Sequence, residues 1–197
     1  MSMHLPFEPH ELSTELVDTG AARAAESLAE LVGCYVHLDV CEIYRLPVDE
    51  LPKLIVDQAT ILQSFKGKVC GKAMLLFPTA NSRAMAALLA GYPAARDIAL
   101  FEQASVLSEV GNIVLNGVLS SVARLIDDQL YYEGPCFYLD GQLQERLAAK
   151  LPTQAEAIQL LAADLSLQIR SREIRGTLLL AFYQETIAPV AKEYSTA

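Results

Sequence analysis

The sequence predicts an α+β domain, an antiparallel sheet with long helices packed together on one face. Three observations lead there. Two long helical patterns each precede shorter segments of strand character. The two halves of the chain repeat the same order of elements, over about residues 9–91 and 98–194. One stretch also matches residue by residue. Val69-Cys-Gly-Lys-Ala-Met-Leu-Leu-Phe77 parallels Ile174-Arg-Gly-Thr-Leu-Leu-Leu-Ala-Phe182, each with a β-branched residue, a glycine two places on, and an apolar run ending in phenylalanine. At 197 residues the chain can fill one core with two intimately packed halves.

The first half opens with a helix expected over residues 9–31 and stopped by Gly33. Residues 34–46 partly alternate apolar with polar, as in a half-buried strand, until Pro47 and Pro52 break the pattern. Strands over 55–65 and 69–77 follow, joined by the tight turn Lys66-Gly67-Lys68. A short helix over 80–90 closes this half, and residues 91–97 form the connector. The second half places a long helix over 98–126 and a strand over 129–139, bent or bulged at Gly134-Pro135. A short helix over 143–150, strands over 158–170 and 173–183, and a last helix over 187–194 complete it.

Composition removes several function classes. The net charge of −9 and the absence of any basic cluster disfavour a nucleic-acid partner. Three scattered histidines argue against a zinc site, so no metal or other cofactor is expected on this chain. Four separated cysteines without a C-x-x-C pair read as buried thiols of a reducing, cytoplasmic compartment. No secretory leader and no eighteen uninterrupted apolar residues are present, so no membrane span is expected. The chain is 52% hydrophobic and 20% charged, an apolar surplus that leans toward a partner surface or a homodimer.

The polar content of the second long helix is the feature that needs an explanation. At about 100° per residue, Ser105, Glu109, Asn112 and Asn116 fall within an arc of about 60°. Val106, Val110, Ile113, Val114, Val118 and Leu125 form an adjoining apolar face, with Leu115 and Leu119 on the far side. The stripe therefore stands at the rim of the core. It reads as a solvated face, as an interhelical hydrogen-bond network at Asn116, or as a surface for a partner that Asn116 also touches. No His or Cys lies nearby as a nucleophile, no second carboxylate suits glycoside hydrolysis, and no Gly-rich phosphate loop precedes the helix. An Asn can orient a water, and a Glu can pair with a cation brought by a partner. Such a pair suits a helix that enters another protein's active site, because phosphoryl transfer asks mainly for positioning and charge stabilisation.

Ser105-x3-Glu109-x2-Asn112-x22-Pro135 resembles the [D/S]-x3-E-x2-N-x22-P motif of the CheC/CheX/FliY phosphatases of bacterial chemotaxis. The string Glu109-Val-Gly-Asn-Ile113, the two-half organisation and the length extend the resemblance over nearly the whole chain. It implies a CheC-like pseudo-two-fold domain with a continuous antiparallel sheet. The implied activity is hydrolysis of the phospho-aspartate of a CheY-like response regulator. Asn112 would place the attacking water, Glu109 would anchor the helix to the regulator's lysine, and Ser105 and Pro135 would support them. The Mg2+ would belong to the regulator.

By the same resemblance the first helix would carry a second site, and it departs from the pattern. Glu15 takes the acid position, Asp18 stands for Asn, Glu11 for Ser or Asp, and Cys41 falls at the proline's distance. A carboxylate has no N–H donor, and three acids on one face would repel a phosphoryl dianion. This half is expected to be silent. The alternative for the whole chain is a non-catalytic scaffold or adaptor, which would bind a receiver, a flagellar-switch protein or a CheD-like deamidase. Arg170, Arg172, Glu173 and Arg175 read as a charged hairpin tip, and Lys66, Lys68 and Lys72 likewise as a solvated turn. Tyr131 and Tyr132 read as core and edge packing, and Cys136 as a packing thiol.

Overall fold

A computed structural model describes residues 5, 7, 11–12, 14–139 and 158–183. The helices expected over 143–150 and 187–194 lie outside the described residues. Helix α1 spans Thr14–Val32 and ends before Gly33. Strand β1, Val36–Leu46, follows. A 3-10 turn, Val48–Glu50, runs into the short α2, Leu51–Leu54, where the sequence suggested only a break. Pro52 suits this place, because the first turn of a helix has no partner for the missing N–H. Next come β2 (Gln58–Lys66), β3 (Cys70–Pro78), α3 (Thr79–Leu89) and α4 (Leu100–Leu125). The remaining strands are β4 (Tyr131–Tyr132), β5 (Cys136–Tyr138), β6 (Ile158–Ile169) and β7 (Arg172–Tyr183).

All seven described strands form one antiparallel sheet in the order β1-β6-β7-β3-β2, with β4 and β5 both on the outer side of β2. The order reads the same from either end once the halves are exchanged. Each hairpin, β2–β3 or β6–β7, accepts its outer neighbour from the other end of the repeat. Met74 and Leu179, matched by the sequence repeat, are direct partners across β3 and β7, so a local two-fold passes between them. The bulges obey the same symmetry. Three steps along β1, Val40 to Ile43, face two along β6, Leu165 to Ala163. On the opposite edge, four steps from Tyr132 to Cys136 face three along β2, Phe65 to Leu62. The expected bend at Gly134-Pro135 is this second bulge.

The long helices cover one sheet face. α1 packs on β1 and on α4, and α4 on β2, β3 and β5. Val17, Ala21, Ala24 and Leu28 of α1 meet Val110, Val114, Leu115, Val118 and Val122 of α4 in one buried cluster with Ile61, Phe65, Leu75, Leu161 and Leu180 of the sheet. The helices touch backbone to backbone at Gly20 and Gly117, where a Cβ on Gly117 would lie 2.6 Å from the Gly20 carbonyl. Behind the sheet, Leu46, Leu51 and Ile55 pack on Met74, Leu160 and Leu179. By length and composition alone α4 could cross a membrane, but half of that stretch is buried inside the protein, against α1 and the sheet.

Several expectations change. Glu11 stands ahead of α1 rather than within it, off the helical face expected to carry three acids. The physical reason lies just upstream. Leu5, Phe7 and Leu12 are buried, and Phe7 meets Phe182 edge-on at 5.6 Å, which holds this segment to the core instead of in a longer helix. None of the cysteines is buried. Cys41 and Cys136 are exposed and Cys34 and Cys70 half-buried, all as free thiols. Tyr131 and Tyr132 are exposed edge residues rather than core. Lys72 is buried and donates to Ser64 at 3.2 Å, so it is no part of a solvated turn. Lys68 ties that hairpin to the end of α4, donating to the Ile126 carbonyl at 3.2 Å. The tip at Arg170, Arg172 and Glu173 is exposed as expected, and hydrogen bonds from Arg175 and Ser166 hold the Glu173 carboxyl below its ordinary range.

Candidate functional site

The stripe on α4 begins in solvent and ends in the protein. Ser105 and Glu109 are exposed, while Asn112 and Asn116 are half-buried. Glu109 makes no hydrogen bond or ion pair among the described residues, leaving its carboxylate available to an outside cation. Between Glu109 and Asn112, Gly111 lies against Ile61 of β2, and a Cβ there would overlap the Ile61 side chain. This close approach brings the helix near enough to β2 for short side chains to bridge the two.

Gln63 makes that bridge. It is 1% exposed and projects from β2 toward α4. Its Nε2 donates to Asn116 Oδ1 at 3.0 Å and to the Glu133 carbonyl at 3.1 Å. Asn116 Nδ2 in turn donates to Asn112 Oδ1 at 3.0 Å. Both ends of Asn116 are thus engaged within the protein. Of the readings open for this residue, its geometry matches a hydrogen-bond network, here between helix and strand. Among the described residues nothing else bonds Asn112, whose Nδ2 protons and second Oδ1 lone pair are not used in this network.

The bend enters the same network. Glu133, two residues before Pro135, receives the Gln63 hydrogen bond on its carbonyl and donates its N–H to Ser64 at 3.0 Å. The bulge thereby places Pro135, half-buried, next to the strand that supports the helix. Gln63, which the sequence reading missed, links the helix that carries Asn112 to the bend two residues before Pro135. The available signal was an amide inside the apolar run Ile61-Leu-Gln-Ser-Phe65.

An apolar groove of about 420 Å3 opens at the start of α4. Leu100, Phe101 and Ala104 line one side, and Phe137 and Leu139 the other. Phe101 is 79% exposed, and it lies one turn before Ser105 on the face that carries Asn112. Among the described residues no three His, Cys, Asp or Glu side chains gather as a metal site requires. On the first helix, Asp18 is exposed and Glu15 lies in the first turn of α1. The inward positions of β6, the strand in the place of β2, are Leu161, Ala163, Leu165 and Leu167. No amide there matches Gln63.

An antiparallel sheet covered on one face by long helices places the chain in the CheC-like class of α+β fold, to which CheX and the FliM middle domain are similar in structure. Thermotoga maritima FliY superposes with a TM-score of 0.71 at 13% identity, over 89% of this chain and 91% of that chain. The Helicobacter pylori FliM middle domain gives 0.61 at 12% identity, over 90% and 94%. CheX from Desulfovibrio desulfuricans gives 0.54 at 13% identity, over 84% and 99%. At these identities the likeness is one of fold. No protein-family model matches the sequence, and no curated protein matches it.

Proposed function

We propose that this chain is a phosphatase for a phosphorylated CheY-like response regulator, acting through Glu109 and Asn112. The observation that carries the reading is the state of these side chains on α4. The Glu109 carboxylate is exposed, and the Asn112 amide is anchored at one end with its Nδ2 bonded to no partner among the described residues. In this reading α4 enters the receiver's phosphorylation site. Glu109 pairs with the receiver's lysine, as the motif resemblance implies. Asn112 holds a water with its spare Oδ1 lone pair and donates from Nδ2 to a phosphoryl oxygen. The water oxygen forms the new bond to phosphorus while the bond to the aspartyl oxygen breaks. Inorganic phosphate and a free aspartate carboxylate result. Magnesium belongs to the receiver, and no covalent intermediate forms on this chain. The groove at Phe101 supplies apolar contact beside the polar pair, and the reaction takes place in the cytoplasm.

The test is the decay of a phosphorylated CheY-like receiver with and without the protein. Acceleration by wild type that is lost in Asn112→Ala supports the reading, and an unchanged decay rate with wild type ends it. A second reading, a non-catalytic scaffold, draws on the fold shared with the FliM middle domain. Helicobacter pylori FliM has been solved in complexes with FliG and with SpeE. Stable capture of phosphorylated receiver without hydrolysis would favour that role.

A further inference from the structure

We infer that Gln63 is a positioning residue that sets, through Asn116, which end of the Asn112 amide faces the partner. The role in reaction rests on the phosphatase reading, while the relay itself rests on geometry. An amide side chain is nearly symmetric in shape, so packing alone does not decide which end is oxygen. Here the backbone decides. The Glu133 carbonyl can only accept, so the atom of Gln63 that is 3.1 Å away must be nitrogen. The same nitrogen lies 3.0 Å from Asn116, which must answer with oxygen. Asn116 then turns its nitrogen to Asn112, and Asn112 receives it on Oδ1. A fixed polarity passes from the bend before Pro135, through three side chains, to the group offered to solvent.

The polarity matters because the two ends of Asn112 do different work. With one Oδ1 lone pair taken by Asn116, the amide is fixed so that Nδ2 is left to donate and the second Oδ1 lone pair to hold the water. A phosphoryl dianion needs donors, and a reversed amide would present it with an acceptor. The relay also removes the rotational freedom that an isolated Asn keeps about its last torsion. A purely structural reason for Gln63 is weak. Its Oε1 is buried and has no hydrogen-bond partner among the described residues, a cost that the apolar residues at the inward positions of β6 avoid.

Two measurements on Gln63→Leu test the inference, with Gln63→Met in reserve because its volume is closer should the first variant fold poorly. In 1H–15N spectra of the free protein, the side-chain amide of Asn112 should shift and the Asn116 amide protons should exchange faster. An Asn112 signal identical to wild type would overturn the relay, whatever the activity. In receiver dephosphorylation, the maximal rate should fall about 10- to 100-fold while the half-saturating concentration stays within about twofold. That loss should vanish when Asn112 is already alanine. If Gln63→Leu slows Asn112→Ala by the same factor as wild type, Gln63 acts elsewhere and the positioning role is wrong. Should wild type fail to accelerate decay, the phosphatase reading falls, and the spectra still decide the relay.

Discussion

The two long helices lie on the same sheet under the same local symmetry, yet among the described residues only α4 meets an amide from the strand beneath it. α4 rests on β2, where Gln63 rises to meet Asn116 and, through it, Asn112. The inward face of β6, in the corresponding place, offers Leu161, Ala163, Leu165 and Leu167. The difference teaches that, in the proposed reading, the site would belong to a helix and a strand together. An acid and an amide at the right spacing are half of it, and the strand side chain that orients the amide is the other half.

This comparison can be broken most directly at Asn112. Asn112→Ala should lower receiver dephosphorylation by about 100-fold or more, the scale for removing a positioned polar group. Stopped-flow or radiolabel decay would show it, and a loss below a few-fold would leave the helices equivalent. The next largest effect concerns stability. Gly20→Ala places a methyl against the Gly117 carbonyl at the helix crossing. Backbone is less able to yield than a side chain, so about 1–3 kcal/mol should be lost. Urea unfolding measures this, and unchanged stability would mean that the crossing is not a tight contact between the halves.

A smaller effect is expected at the groove. Phe101→Ser should raise the half-saturating concentration of receiver roughly fivefold, equivalent to about 1 kcal/mol of lost contact. Because Phe101 is exposed, the melting temperature should barely move. An unaltered half-saturation would place the partner elsewhere on α4. The smallest change is the most instructive. Asp18→Asn restores the missing amide to α1, and dephosphorylation measured in an Asn112→Ala background should still gain less than about twofold. A large gain would show that helix residues suffice and that the strand amide is dispensable.

Most of the architecture was legible because periodicity reports burial. Strands β2, β3, β6 and β7 and both long helices fall within a few residues of their expected places, since each presents an apolar pattern that only one face can bury. The start of α1 was less legible. Its boundary depends on Leu5, Phe7 and Leu12 finding the core, a tertiary event that local helical pattern does not encode. The turn at Val48–Leu54 was hidden because Pro47 and Pro52 read as breakers, although Pro52 also suits a first helical turn. The cysteines misled for a related reason. A thiol's type suggests burial, whereas the strand face on which it falls decides it.

By itself, the sequence determined the α+β class, the duplicated order of elements, and the stripe of Ser105, Glu109, Asn112 and Asn116 along one helix face. Those follow from spacings within single elements, where 3.6- and 2-residue periods are physical rulers. Tertiary structure alone decided that Asn116 turns toward β2, that Gln63 joins it to the bend before Pro135, and that Asn112 receives the Asn116 amide on its Oδ1. Those relations join residues 53 and 70 positions apart. Hydrogen-bond polarity depends on which acceptor folding brings within about 3 Å. No local pattern carries that information, because the deciding group is the Glu133 backbone carbonyl, in the bend between β4 and β5 beside β2.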